Sequence, residues 1–166
     1  HFRCAGDGFP AGTIKNLGIE SAGFDNGGAY DGRFGAVCGL LVKDSETTTE
    51  GLVQNCYVAH SSIKTKDKIA GAIVGANYGG TIANCYECGN TVEGYNRIGH
   101  LVGDNRNDNS SLSGTVSYCY TDKDRVVGTQ GGSEENSGVK SADEFKSGEV
   151  AVLLQSDQTE LAWGLV

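Results

Sequence analysis

The most chemically suggestive spacing in the chain is Cys85-Tyr-Glu-Cys88, because two thiols three residues apart suit a redox pair or half of a tetrahedral zinc site. A zinc site needs a second pair of ligands, and no such pair accompanies this one; Cys85 also belongs to a repeated motif. Histidine offers little more. His1 stands at the start, His60 falls in a loop, and His100 occupies the place that Ala36 and Ala72 hold in related segments, which suits a core-edge or surface histidine better than a catalytic one. Asp104-Asn-Arg-Asn-Asp-Asn109 supplies oxygen ligands, with Asp104, Asn107 and Asp108 as candidates for calcium. It lacks the alternating acids and terminal glutamate of a calcium loop, so a solvated loop is expected. Gly71 with Gly75, and Gly99 with Gly103, stand four apart as in some phosphate loops. No Lys-Ser/Thr follows and no helix begins there, so these glycines are expected to allow tight packing or turning. No cofactor is implied, and no catalytic residue stands out.

Tyrosines make the stronger candidates. Tyr57, Tyr86 and Tyr120 each follow a cysteine, namely Cys56, Cys85 and Cys119. If the cysteines point inward, the tyrosines point outward or lie at the next corner, one above another. Such a column could hold a sugar or peptide by ring stacking. The competing expectation is that the rings pack against loops or one another and protect the sheet.

Both ideas depend on elements that stack, and the chain does repeat. Phe34-Gly-Ala-Val-Cys-Gly39, Ala70-Gly-Ala-Ile-Val-Gly75 and Ile98-Gly-His-Leu-Val-Gly103 align, and each precedes a second motif: Val53-Gln-Asn-Cys-Tyr57, Ile82-Ala-Asn-Cys-Tyr86 and Val116-Ser-Tyr-Cys-Tyr120. The period is roughly 30 residues, that of a solenoid coil and not of a heptad. The repeated pieces are short, β-branched or small, and bounded by Gly, Asn, Asp and Ser, which predicts strand, turn, strand. Strict alternation would put Ile82 and Cys85 on opposite faces although both are apolar. A bend at Asn84, and likewise at Asn55, resolves this, since asparagine tolerates the left-handed region. Cys56, Cys85 and Cys119 then form one inward column of free thiols that act as small hydrophobes. One coil cannot bury its apolar face alone; stacking completes the core.

Glycine is in excess, at 26 residues against one proline, without the G-X-Y period of collagen. At 38% hydrophobic, the chain is too apolar for a disordered polymer. A formal charge of −8, from 21 acids against 13 bases, argues against nucleic acid and against an anionic membrane surface. No apolar run reaches the roughly 20 residues of a spanning helix, so no membrane insertion by this segment is expected. The start at His1, without methionine, fits a processed or excised piece of a larger parent.

These features predict an all-β fold: a right-handed parallel β-helix, or β-solenoid, of short-strand repeats over 1–128, of about three coils with a degenerate coil over 1–33. Residues 129–138 (TQGGSEENSG) read as a polar linker, and 139–166 as a helical cap or tail. Ser141-Ala-Asp-Glu144 is a capping box, and a break is expected near Gly148. The apolar face of this tail, with Leu161, Trp163, Leu165 and Val166, is expected to cover an open solenoid end.

Ile69-Ala-Gly-Ala-Ile-Val-Gly-Ala-Asn77 followed by Gly80-Thr-Ile-Ala-Asn-Cys-Tyr86 resembles the GLUG repeat of bacterial adhesin-like surface proteins and of some immunoglobulin-A-cleaving proteases. The resemblance runs roughly from Thr13 to Gly128. It is closest at 69–86; the copies at 34–57 and 98–120 depart in loop length, and Tyr118 replaces the asparagine. The tail is similar to the segment that often follows such repeats. The resemblance implies a β-solenoid on the bacterial cell surface or secreted, serving adhesion or structural presentation, with a glycan or host surface protein as partner. It transfers no catalytic residues. Two alternatives remain: a polysaccharide-degrading β-helix enzyme, which needs clustered charged residues on one outer sheet, and a substrate-recognition arm of a secreted protease.

Overall fold

A computed structural model describes residues 3–4, 12–27, 32–43, 49–66, 69–106, 113–155 and 158–163. The chain is a parallel β-solenoid. Its complete turn is seen in the third coil, whose strands are Ile69–Gly71, Val74–Tyr78, Thr81–Ala83, Tyr86–Cys88 and Thr91–Glu93. The second coil repeats these as Arg33–Gly35, Cys38–Val42, Leu52–Gln54, Tyr57–Ala59 and Ser62–Thr65. Equivalent strands pair in parallel, so that Ile82 lies between Val53 and Val116, and Tyr86 between Tyr57 and Tyr120. The first coil, read as degenerate, contributes Arg3–Cys4, Thr13–Lys15, Gly18–Glu20 and Gly23–Asn26. The fourth has Arg97–Ile98, Val102–Asn105, Thr115–Ser117 and Tyr120–Thr121.

A fifth turn lies where a linker was expected. Val127–Gln130, Ser133–Glu135 and Gly138–Val139 pair in parallel with the fourth coil, with Val116 opposite Glu134 and Tyr120 opposite Gly138. An end coil has only one neighbour to share a core with, so polar residues such as Ser133, Glu134 and Glu135 suffice there.

The corner after each Thr81–Ala83-type strand is built as the apolar spacing requires. Asn16, Asn55, Asn84, Tyr118 and Asn136 have φ of 57°, 55°, 54°, 51° and 48°. This left-handed residue reverses the side-chain alternation, and Ile82 and Cys85 are both fully buried. The bend leaves the next backbone N–H turned along the stack, where the following coil's side chain accepts it. Cys56 N–H meets Cys85 Sγ at 3.4 Å, and Cys119 N–H meets Ser137 Oγ at 2.9 Å. Each acceptor donates in turn to the carbonyl two residues earlier: Cys85 Sγ to Ala83 at 3.1 Å, Ser137 Oγ to Glu135 at 3.0 Å. A second corner uses the same device: the N–H of Ala22 donates to Ser61 Oγ at 3.1 Å and that of Ser61 to Asn90 Oδ1 at 2.7 Å.

The glycine pairs serve close backbone approach. A Cβ on Gly103 would lie 2.6 Å from the carbonyls of Ala70 and Gly75, and one on Gly75 would lie 2.6 Å from Gly39 O. Gly71 and Gly99 are confined in the same way by the carbonyls of Val74 and Val102.

After the fifth turn come α1 (Ala142–Ser147) and α2 (Glu149–Gln155). Ser141 and Glu144 close the expected capping box, and Gly148, at φ 85°, ends α1. The helices do not cover the solenoid end. They lie along its flank, where Leu154, Val150 and Tyr120 form a buried cluster joined by Tyr86, Phe145, Leu153 and Trp163. The tyrosine sheet offers aromatic surface to an amphipathic helix, whereas the end coil presents polar residues; this explains the placement. The described part of the tail after the fifth turn, residues 141–155 and 158–163, is thus a lateral strap. Leu165 and Val166 lie outside the described residues.

Candidate functional site

The tyrosine face is one sheet, ordered Gly138–Val139, Tyr120–Thr121, Tyr86–Cys88, Tyr57–Ala59, Gly18–Glu20. Tyr57 and Tyr86 stack with centroids 5.0 Å apart and planes within 2°. Of the two expectations for these rings, packing against one another and against the tail is what forms for Tyr86 and Tyr120. Tyr120 is 5% exposed, packed with Val150 and Leu154, and its hydroxyl donates to Asn136 O at 2.7 Å. Tyr86 is half-buried beneath Phe145 and Trp163, at 5.8 and 5.4 Å between centroids, and burial first, then the Tyr57 and Glu20 charges, push its hydroxyl up to about 12. Tyr86 borders a cavity under the helices, and Tyr57 borders open space at its own end of the column. Its hydroxyl donates to Glu20 Oε1 at 2.9 Å, a bond that raises the tyrosine pKa.

A cleft of about 390 Å³ opens there. One wall is the first two coils: Asn16, Leu17, Gly18, Asn55 and Tyr57. The other is the strap, including Gln158, Glu160, Leu161 and Trp163. Trp163 reaches both stacked tyrosines edge to face, its centroid 6.2 Å from that of Tyr57. A second cavity, of about 600 Å³, lies under the helices and is lined by His60, Cys88, Asp122, Phe145 and Trp163 among others. Its thiol is poorly set for nucleophilic or metal chemistry, since burial and the nearby Asp122 carboxylate push Cys88 up to about 11.

No family model, curated protein or solved structure matches the chain. Its chemistry therefore rests on its own geometry.

The cysteines are free thiols at 38, 56, 85, 88 and 119 among the described side chains. Cys56, Cys85 and Cys119 form the expected buried column. The Cys85 thiol is pushed well up, by burial and then by the Cys119 thiol, and that of Cys56 by its bond to Cys85 and by burial. Cys88 faces away from this column, so the three-residue spacing places no redox pair. Asp104 is not a loop ligand: it is fully buried, 2.5 Å from the Arg97 guanidinium and 3.6 Å from that of Arg106. Two guanidinium groups already neutralise the carboxylate, which disfavours calcium there. Asn107 and Asp108 lie outside the described residues. Among the described residues no three metal-ligating side chains converge. His100 holds the place of Ala36 and Ala72 in its coil, at a bend and not inside a strand, 3.1 Å from Asp124, with burial lowering its pKa.

Sequence reasoning passed over Glu87. It is fully buried in register with Val58 and Thr121, its carboxylate accepting from Asn90 Nδ2 at 2.8 Å and from the Thr121 hydroxyl. Burial chiefly, and Asp122, raise its pKa to about 7 against the lowering effect of those hydrogen bonds. The available signal was positional: Glu87 stands two after the inward Cys85, as Val58 stands two after Cys56. Asn16 and Trp163, now facing one cleft, were too far apart in sequence to be associated.

Proposed function

We propose that this chain is a non-catalytic repeat module of an extracellular bacterial surface protein, serving adhesion or structural presentation. Its partner is a glycan or a host surface protein, and its neighbours are the remaining domains of a larger parent. The observation that carries this reading is where the polar side chains are committed. Asn77 and Asn105 stack through an Nδ2–Oδ1 bond of 2.9 Å, Asp104 is held by Arg97, and Glu87 by Asn90 and Thr121. These groups build a rigid rod of stacked coils, and outward charges such as Lys64 and Glu93 pair with each other at 3.4 Å. A rod flanked by an aromatic-edged cleft suits contact and presentation. The GLUG-like repeats support the same setting, and no helix among the described residues is long and apolar enough to cross a membrane.

The test is to immobilise the chain on beads and score retention on glycan and host-protein arrays, while assaying a polysaccharide panel for new reducing ends. Retention without cleavage is expected. Sustained release of reducing ends would overturn the reading in favour of a polysaccharide-degrading enzyme.

A further inference from the structure

Resting on that adhesive reading, we infer that the cleft between the first two coils and the strap is a binding site for an uncharged glycan. The strap treats equivalent corners unequally. At Asn84 the side-chain Nδ2 donates to the Leu154 carbonyl at 2.8 Å. At Asn55, one coil along, the side-chain Oδ1 is buried with no hydrogen-bond partner among the described residues, as is the Oδ1 of Asn84, but of the two corners only Asn55 lines the cleft. Trp163 Nε1 is in the same condition on the opposite wall. A buried acceptor and a buried donor left unmatched are costly unless something supplies the complement, and a sugar hydroxyl, donor and acceptor at once, serves both.

The other lining groups fit the same ligand. Trp163 provides ring surface for the apolar C–H face of a pyranose, and the Tyr57 ring, seated between Gly18 and Tyr86, offers its edge. Leu161, 84% exposed, widens the apolar part. The volume lies within the usual range for small-ligand sites, about 300–1,000 Å³. Charge narrows the class. Glu160 lines the cleft and Glu20 is tied to the Tyr57 hydroxyl, with no arginine or lysine among the described lining residues, so uronates and sialylated sugars are repelled.

The chain has one tryptophan, Trp163, whose emission reports the cleft and the cavity under the helices, both of which it lines, and Asn55, which lines the cleft, tells the two apart. The full chain is titrated with maltotriose, cellotriose, mannotriose, xylotriose and triacetylchitotriose, and with trigalacturonate and sialyllactose as charged counterparts. At least one neutral trisaccharide should shift the emission saturably, with Kd on the order of 0.1–1 mM. Asn55→Gly, which keeps the positive-φ corner, should weaken that binding about tenfold with an unchanged Tm. The proposal is overturned if no neutral trisaccharide moves the emission, if Asn55→Gly binds as tightly as the parent, or if the charged sugars bind equally well. An array ligand that leaves Trp163 emission unchanged overturns the cleft while the adhesive reading stands.

Discussion

Asn84 and Asn55 differ in one respect that stability measurements can isolate. Both take positive φ, at 54° and 55°, and both turn the chain at equivalent corners. Only Asn84 is bonded to the strap, through Nδ2 to Leu154 O. That carbonyl also accepts from Gln158 Nε2 at 3.0 Å, so removing Asn84 weakens its satisfaction without orphaning it. The strap bond should therefore be worth about 1 kcal/mol, the net value of an ordinary hydrogen bond, and less than the cost of a stranded acceptor. Glycine is at ease at positive φ, so Asn55→Gly should change stability by no more than about 0.5 kcal/mol, and Asn84→Gly should cost about 1 kcal/mol more than that. Alanine at either corner adds the left-handed penalty, about 1–2 kcal/mol on top of the glycine value. Urea denaturation followed by far-ultraviolet circular dichroism gives the four differences, and Trp163 emission gives the strap separately. Asn84→Gly should bring the Trp163 transition to lower urea than Asn55→Gly does. Equal costs for the two glycine variants would refute the strap bond; alanine variants no worse than glycine would refute the left-handed corner.

Three further outcomes follow from the core. Cys85→Ser should be tolerated within about 1 kcal/mol and Cys85→Ala should cost about 1–3 kcal/mol, because serine can accept from Cys56 N–H as Ser137 accepts from Cys119 N–H, whereas alanine leaves that donor orphaned; chemical denaturation of both variants checks this. Glu87 is held in the folded state at a pKa of about 7 against an ordinary 4.5, so the fold binds the proton that the unfolded chain releases, and its contribution is full below pH 4.5 and lost as pH rises through 7. Stability should decline across that window by up to about 3 kcal/mol from this group, and Glu87→Gln should flatten the decline and raise the Tm at pH 8 more than at pH 5, as read by melts at each pH. Glu144, lowered to about 2 by the Ser141 backbone and Lys140, acts with the opposite sign and only at more acid pH. Gly103→Ala should cost about 1–3 kcal/mol or prevent folding, since its Cβ would meet two fixed carbonyls; a Tm equal to the parent's would refute the close approach.

The stacked coils, the corners and the thiol column were legible because three copies share the Cys-Tyr pair, two of them with asparagine before it, and because apolar Ile82 and Cys85 at odd spacing call for a bend between them. The strap's position was not legible. An amphipathic helix announces that it will cover an apolar surface, and the choice between the solenoid end and the tyrosine flank depends on which of them the folded coil leaves apolar. For that reason the sequence left Tyr120 open to either an exposed face or packing under another segment, and it lies beneath Val150 and Leu154. The cleft depends on the same unreadable choice, since Asn55 and Trp163 meet only because the strap runs back along the coils.

The fifth turn shows how the pattern survives a change of composition. Ser133-Glu-Glu-Asn-Ser137 has no apolar residue, yet Glu134 takes the place of Val116, Asn136 the corner at φ 48°, and Ser137 the acceptor role of a column cysteine. What this coil conserves is its hydrogen bonding, not its hydrophobicity. Partial desolvation raises the Glu134 pKa, although the residue is exposed at the open end of the stack. A core needs two sides, and the last turn has one, so its inward positions are free of the packing requirement while its backbone is not. After the first coil, where Leu17 follows the corner, the repeat is therefore defined most deeply by the left-handed residue followed by a small side chain able to accept one N–H and donate to one carbonyl. Cysteine fills that role inside the stack, where burial favours it, and serine fills it at the end.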